Sequence, residues 1–318
     1  MQDRDLTGVP PGLMARLKPF AAKTPAAWLK PTWQAASHLL LPQGRPAPTL
    51  GRIGALEVRL AGTRKDVKRA QKLRYKVFYR DGHAIADAAT MLARRDKDAF
   101  DRVCDHLLVI DHAATTAGKV PLRRKSPVVG TYRLLPQDAA ERAGGFYTAN
   151  EFDIASLVER HQDLRFLELG RSCVLPPYRN KRTVELLWHG VWRYVRRNNV
   201  DVMIGCASLE GTDPARLALP LSFLHHYARA PHEWRASALP RRRVEMNLIP
   251  KQVIDPKSAL RQLPPLIKGY LRLGAFIGDG AVIDHQFGTT DVLMILPVSA
   301  ISSRYIGHFG ADATRHAA

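Results

Sequence analysis

The sequence predicts a mixed α/β fold, one sheet flanked by helices. Three observations carry this. Residues 106–111 and 127–135 are apolar runs of strand composition on either side of a polar loop. Residues 165–174, 183–198 and 201–208 read strand, amphipathic helix, strand. The last third closes with a helix and a hairpin.

Residues 1–50 hold eight of the 22 prolines and no long periodic pattern, so a poorly ordered basic extension is expected there, with one short helix near 26–41. Leu13, Leu17, Phe20, Trp28 and Trp33 suit either contact with a membrane surface or packing on the domain. A first strand is read at 57–60. Thr63-x-x-Asp66 then matches a helix start, and Val67, Ala70, Leu73, Val77 and Phe78 follow at helical spacing. Residues 82–104 are polar, loop or helix. The runs 106–111 and 127–135 pair antiparallel across the loop 112–126. The run 165–174 stops at Pro176-Pro177. Val184, Leu187, Val191 and Val195 give the next helix its apolar stripe. The two strands beside that helix are then parallel, joined by a right-handed crossover. Residues 209–256 fit no compact pattern and read as an insertion. Pro264-Pro265 opens a helix at 263–273, as prolines suit a first turn. A hairpin of 281–287 and 291–298 turns around Gly288-Thr-Thr. The expected division is an extension at 1–50, a folded domain at 51–310 with its insertion at 209–256, and a tail at 311–318.

Composition narrows the function. The 48 Lys+Arg against 29 Asp+Glu give a formal charge of +19, which attracts nucleic acid, anionic headgroups or an acidic protein. Zinc-finger spacing and the aromatic signature of an RNA-recognition domain are absent, so nucleic acid is not the expected partner. No apolar run reaches the roughly 18 residues of a spanning helix. The first residues are charged and no apolar leader core follows. Cys104, Cys173 and Cys206 form no CxxC pair and read as reduced thiols of a cytosolic protein. The expected location is cytoplasmic, with peripheral contact at the inner face of an anionic membrane.

The most informative run is RFLELGRSCV, 165–174. Alternation on a regular strand sends Glu168, Gly170 and Ser172 to one face and Leu167, Leu169, Arg171 and Cys173 to the other. A carboxylate on a central strand is costly unless paired or functional. Where two parallel strands part beside it, Glu168 is positioned to take a proton from an attacking ammonium, directly or through water. Its alternative is a structural salt bridge to an arginine. His106-x-x-x-x-Asp111 and Glu210-Gly-Thr212 echo glycerolipid acyltransferase motifs. A separation of five on one strand puts His106 and Asp111 on opposite faces, so they make no dyad. His225-His226 lacks ligand partners, and no metal is expected.

LELGRSCV, the preceding VVGTYRLL and LRYKVF resemble the Gcn5-related N-acyltransferase (GNAT) fold, in the branch shared with acyl-homoserine lactone synthases. CDHLLVID, ELGRSCVLPPYRNKR, GCASLEGTDP, LPPLIKGYLRLGA and FGTTDV are similar to the ornithine-acyl-carrier-protein N-acyltransferases of ornithine-lipid synthesis. The resemblance spans about residues 57 to 310. It implies transfer of a 3-hydroxyacyl chain from acyl carrier protein to the α-amino group of L-ornithine, giving lyso-ornithine lipid. It implies no dissociable cofactor, since the carrier brings its own phosphopantetheine. Glu168 and Arg171 match the Glu-x-x-Arg pair of the acyl-homoserine lactone synthases, whose glutamate is the proposed base. Arg74 and Phe78 match those synthases' Arg-x-x-x-Phe pattern, and Arg133 their arginine on the second hairpin strand, on the substrate side. Asp101 and Asp105 resemble the synthases' acidic pair at a different spacing, and the synthases' tryptophan in this region has no counterpart. Either substrate contact or a fold-holding ionic network accounts for Arg74, Arg133 and the aspartates. Backbone N–H groups of Ser172, Cys173 and Val174 are expected to hold the oxyanion. Tyr270 is either a proton donor to the leaving thiolate, as in some of this superfamily, or a helix residue packed on the sheet.

Coenzyme A-dependent relatives carry a glycine-rich turn that holds a pyrophosphate. Here the turn is Pro177-Tyr-Arg-Asn-Lys-Arg182, without glycine. Arg179, Lys181 and Arg182 suit a single phosphate diester on an acidic carrier, or form a solvated basic turn. Two rivals remain: an acyl-homoserine lactone synthase-like enzyme, and a non-enzymatic basic protein binding nucleic acid or membrane.

Overall fold

The computed structural model describes residues 47–114 and 126–302. The expected helix near 26–41, the apolar side chains of the extension and the tail at 311–318 lie outside the described residues. Nine strands form one sheet: β1 (Thr49–Ile53), β2 (Leu56–Leu60), β3 (Asp105–Asp111), β4 (Val128–Pro136), β5 (Phe166–Val174), β6 (Val202–Glu210), β7 (Arg243–Val244), β8 (Phe276–Asp284) and β9 (Thr289–Pro297). Their order is β1-β2-β3-β4-β5-β6-β9-β8-β7. Among the described strands only β5 and β6 run parallel, and the crossover between them is the helix α5 named below.

Eight α-helices are described: α1 (Arg64–Tyr75), α2 (Ala88–Ala93), α3 (Gln137–Arg142), α4 (Ile154–Arg160), α5 (Lys181–Arg197), α6 (Ala218–Ala228), α7 (Pro256–Gln262) and α8 (Pro265–Leu273). Thr63 caps α1 by accepting from the Asp66 amide at 3.1 Å, as the Thr-x-x-Asp pattern requires. Asn180 does the same for α5 through the Thr183 amide. One face of the sheet packs α5, α6 and α8 on Val58, Leu107, Leu167, Leu169, Met203 and Met294. On the other, α1 covers Leu108, Ile110 and Cys173, while α3 and α4 cover Phe166, Val202 and Ile204. The polar site described below lies on this second face.

The structure departs from the sequence reading at several elements. A strand, β1, precedes the one expected first; it is a short edge strand with Gly51 inside it and a turn at Gly54 after it, so its signal is weak. Between β4 and β5 the chain forms α3 and α4, which carry only short apolar periods. The expected insertion contains α6, β7 and short 3₁₀ turns. β8 begins at Phe276 rather than 281 because Gly278-Asp279-Gly280 bulge between the Ile277↔Met294 and Ala281↔Val292 pairs. Arg229 and Arg243 hold the bulged Asp279 at 2.7 and 2.9 Å.

The most consequential departure is in β5. Gly170 pairs with Arg133 and Cys173 with Thr131, so Arg171 and Ser172 both oppose Tyr132. Arg171 takes φ 49°, a left-handed conformation, to form this bulge. An extra residue reverses the alternation beyond it. Arg171 therefore joins Glu168 on the second face, and Ser172 turns to the first, where it hydrogen-bonds Tyr132. Cys173 follows onto the second face under α1, away from Leu167 and Leu169, so the expected faces of Arg171, Ser172 and Cys173 are all corrected.

Candidate active site

β5 and β6 pair at Phe166↔Val202, Leu167↔Met203 and Glu168↔Ile204 only. Beyond Glu168 the ladder ends, and β6 continues on β9 alone. The β6-facing edge of β5 after that point thus lacks a ladder partner. Gly205 sits where the strands part. A Cβ there would lie 2.3 Å from the Leu169 carbonyl oxygen, which main chain cannot yield without moving a strand. Gly205→Ala is expected to cost about 1–3 kcal/mol, read by urea unfolding, because the clash is with backbone. Wild-type stability in that variant would show that the strands approach less closely.

Glu168 lies at the point of parting, 4% exposed. Its Oε2 accepts from the Tyr147 amide at 2.8 Å. Its Oε1 accepts from the Thr148 amide at 3.1 Å and the Thr148 hydroxyl at 2.7 Å. These bonds fasten the 3₁₀ turn Tyr147–Asn150 to the sheet. Burial raises the Glu168 carboxyl above its ordinary value, against the hydrogen bond from Thr148 and the charge of Arg133.

Around it three arginines face three aspartates. Arg74, 1% exposed, pairs with Asp96 at 2.7 Å and with Asp101 at 2.8 Å. Arg133 pairs with Asp98 at 2.5 Å and with Asp101 at 3.6 Å. Arg171 reaches Asp96 and Asp98 only at 3.4 and 3.7 Å. Its guanidinium lies between the rings of Tyr147 and Phe287, 4.9 and 4.6 Å from their centroids, and donates to the Tyr147 hydroxyl. Phe78 meets Phe287 edge-on. Arg171 is the most exposed of the three arginines and makes the loosest ion pairs, which leaves it the capacity to take a further anion.

Arg74, Phe78, Asp101, Arg133, Glu168 and Arg171 are thus brought together, as the sequence motifs suggested. Asp101 is saturated: it also accepts from Gln71 at 2.9 Å, and although burial pushes its carboxyl up, Arg74 brings it down to about 2. Asp105 is not brought to the site. It points to the first face and accepts from Tyr194 of α5 at 2.7 Å, because it shares the strand parity of Leu107 and Val109. Asp96 and Asp98, both unmarked in the sequence, take the ionic role beside Asp101. His106 lies beside Asp101 while Asp111 accepts from Tyr178, as opposite faces require.

Sequence reasoning also missed Glu151, Cys206 and Asp291. Their donor atoms all lie within 4.8 Å of one another, and Glu151 and Asp291 are buried. Cys206 stands just past the parting point. Its thiol donates to Glu151 at 3.2 Å and lies 4.0 Å from the Thr148 hydroxyl that binds Glu168. Burial, then Asp291, raises the Glu151 carboxyl; burial also raises that of Asp291. Arg242 pairs with Glu151 at 3.4 Å. Asp291 has no ion pair among the described residues. The signal was faint because the three residues come from a turn and two strands distant in sequence.

On the first face, Tyr270 is buried against Tyr132, hydroxyl to hydroxyl at 3.5 Å, and Trp188 meets it edge-on. The Tyr132 hydroxyl links it to Ser172 at the lip of the gap. Cys173 is buried under α1, where burial pushes its thiol up to about 12. Val174 packs partly into the first-face core, and its carbonyl accepts from Arg179 at 3.1 Å. Arg179, Lys181 and Arg182 are exposed at the start of α5, where backbone N–H groups point outward.

A mixed sheet whose parallel pair parts beside a buried acid forms the acyl-donor cleft of a GNAT-like acyltransferase. The Acetyltransferase (GNAT) domain model matches residues 73–189, from α1 through β5 into α5. An L-ornithine N(alpha)-acyltransferase of Brucella abortus (strain 2308) is 53% identical over 280 residues, 88% of this chain and 98% of that protein. One of Agrobacterium fabrum (strain C58 / ATCC 33970) is 53% identical over 265 residues, 83% of this chain and 88% of its own length. Among solved structures, the AHL synthase LasI aligns over 81% of this chain and 96% of its own at 12% identity, with a TM-score of 0.42. The chain belongs to the L-ornithine N(alpha)-acyltransferase family.

Proposed function

We propose that this enzyme transfers a 3-hydroxyacyl chain from acyl carrier protein to the α-amino group of L-ornithine. The observation that carries the reading is the parting of β5 from β6 immediately after Glu168, with unladdered main chain on one side and carboxylates on the other. Ornithine presents a carboxylate and two ammonium groups. Arg171 takes the carboxylate, and Glu151 with Asp291 takes the side-chain ammonium, a cation suited to a buried acidic pair. Glu168 receives the proton of the reacting ammonium, directly or through water. The freed amine attacks the thioester carbonyl through the gap. N–H groups of the β5 edge, at Ser172 and Val174, stabilise the oxyanion, the intervening Cys173 N–H being turned to β4 like that of Leu175. The C–N bond forms, the C–S bond breaks, and the leaving thiolate takes a proton from Tyr270, with Tyr132 as the relay to the lip; the second proton shed by the acylated nitrogen restores Tyr270 through solvent, and Glu168 releases its own proton to solvent. Arg74 and Arg133, tied to Asp96, Asp98 and Asp101, are positioning residues that set the wall carrying Arg171 and Phe78.

The exposed Arg179, Lys181 and Arg182 support a carrier-bound donor. A phosphopantetheine diester and an acidic carrier both favour cations at a helix start. The product is an amphiphile, which favours peripheral contact with an anionic membrane. No described helix is long and apolar enough to cross one.

The test is the purified enzyme with L-ornithine and either a 3-hydroxyacyl carrier-protein thioester or the same chain on coenzyme A, with the product identified by mass. The carrier thioester is expected to be the better donor. Reversing charge at Arg179, Lys181 and Arg182 is expected to raise its KM and flatten its salt dependence. Equal use of both donors, indifferent to these changes, would refute the carrier assignment.

A further inference from the structure

We propose that residues 85–97 form the surface with which the enzyme rests on an anionic bilayer, a proposal that builds on the reading of the product as a membrane amphiphile. α2 (AATMLA) has Thr90 as its one polar residue, yet none of its residues is buried. Leu92 is 90% exposed and Met91 59%, and Ile85 just before the helix is 69% exposed. The other exposed large apolar side chains, Val184, Leu248, Val253 and Leu266, are dispersed over three further regions of the chain. Three neighbouring aliphatic side chains held out in water gain nothing there and are stabilised where something covers them.

Charge identifies the cover. Arg94 and Lys97 are exposed immediately after the helix. The same segment is pinned to α1, since the Asp96 amide donates to the Gln71 carbonyl at 3.1 Å and Arg95 reaches the Gln71 side chain at 3.4 Å. The outward side of α1 beside that pin carries exposed Arg64, Lys65, Lys68 and Lys72. An aliphatic tip beside a basic helix face fits acyl chains below anionic headgroups. An acidic carrier protein fits the cations but has less use for three protruding aliphatic side chains.

The position also fits. One end of the segment is moored where the Ile85 amide donates to the Gln286 carbonyl at 2.7 Å, next to Phe287 in the site wall. The other end holds Asp96 and Asp98 of the arginine cluster. Both ends of the exposed tip are therefore attached beside Arg171, which contacts Phe287 and Asp96 alike, and this places the tip next to the proposed acceptor site.

The experiment is co-sedimentation of the full chain with vesicles of phosphatidylcholine alone or mixed with phosphatidylglycerol. The wild type is expected to bind the anionic vesicles, less so as salt rises. Met91→Asp with Leu92→Asp is expected to weaken that binding by about tenfold or more, and Lys68→Glu with Lys72→Glu to weaken it in anionic vesicles only. Val253→Asp, which alters an equally exposed aliphatic residue elsewhere, is the control and should bind as wild type. Turnover on soluble ornithine and carrier thioester should be unchanged in all three. Failure of the wild type to bind, wild-type binding by the Met91/Leu92 variant, or an equal loss in the Val253 control overturns the proposal. So does loss of carrier-protein binding instead of vesicle binding, which would make the segment a protein interface. Vesicle binding by a protein that does not acylate ornithine would leave this surface standing and sink the functional reading.

Discussion

Glu168→Gln is expected to lower turnover by about a hundredfold or more in a protein that still folds. The carboxylate stands where β5 and β6 part, and the raised value imposed by burial suits it to the proton transfer proposed for it. The base form exists above that raised value, so activity falls as pH drops through it, and the acid limb of kcat/KM should lie above the ordinary glutamate range. The same carboxylate also receives three donors from Tyr147 and Thr148. A glutamine presents an NH₂ to at least one of them, a loss of about 1–3 kcal/mol in stability. Turnover must therefore be read together with the unfolding midpoint. Thr148→Val separates the roles. It removes one donor while leaving the carboxylate, so it should cost stability with a smaller loss of turnover. A folded Glu168→Gln enzyme with near-normal kcat would move the base elsewhere, and equal kinetic losses in both variants would make Glu168 a tether for the turn.

The elements around the candidate site were legible because their patterns are simple. β3, β4, β5 and β6 read as strand-type runs bounded by polar or turn residues, α5 shows a 3.6-residue period, and the crossover rule then makes β5 and β6 parallel. The exceptions have physical causes. In β5 a bulge with Arg171 at positive φ reverses the faces of Arg171, Ser172 and Cys173, and nothing in ELGRSCV announces an extra residue. In β8 the glycines that allow a bulge also conceal the start of the strand. The arginine cluster was visible as types but not as pairs. Arg74, Arg133 and Asp101 come from a helix, a strand and a turn, and only tertiary contact reveals that Asp96 and Asp98 complete the set. Asp105 looked equivalent to Asp101 at a spacing of four, but the strand begins between them, and parity sends it to Tyr194.

That sorting of carboxylates decides how acceptor selectivity should respond to mutation. Ornithine and norvaline share a carbon chain, and only ornithine carries the terminal ammonium. Asp101 is already engaged by Arg74 and Gln71, so Asp101→Asn should destabilise the fold and lower activity toward both amines alike. Asp291 is buried without an ion pair among the described residues, and Glu151 has only the partly exposed Arg242. Two such carboxylates within 4.8 Å repel each other, which is why burial and mutual charge raise the Glu151 carboxyl. An ammonium between them removes that repulsion and restores both to the charged form. Asp291→Asn is therefore expected to cut the preference for ornithine over norvaline by about ten- to a hundredfold, the size of losing one buried ionic partner. Glu151→Gln should act in the same direction, though it also releases the Cys206 thiol. The measurement is kcat/KM for both amines in wild type, Asp101→Asn, Asp291→Asn and Glu151→Gln, with one carrier thioester as donor. A preference narrowed by Asp101→Asn and untouched by Asp291→Asn would place the ammonium site in the arginine cluster instead. A wild type indifferent to the terminal amine would remove ornithine as the acceptor while leaving the acyl-donor cleft as described.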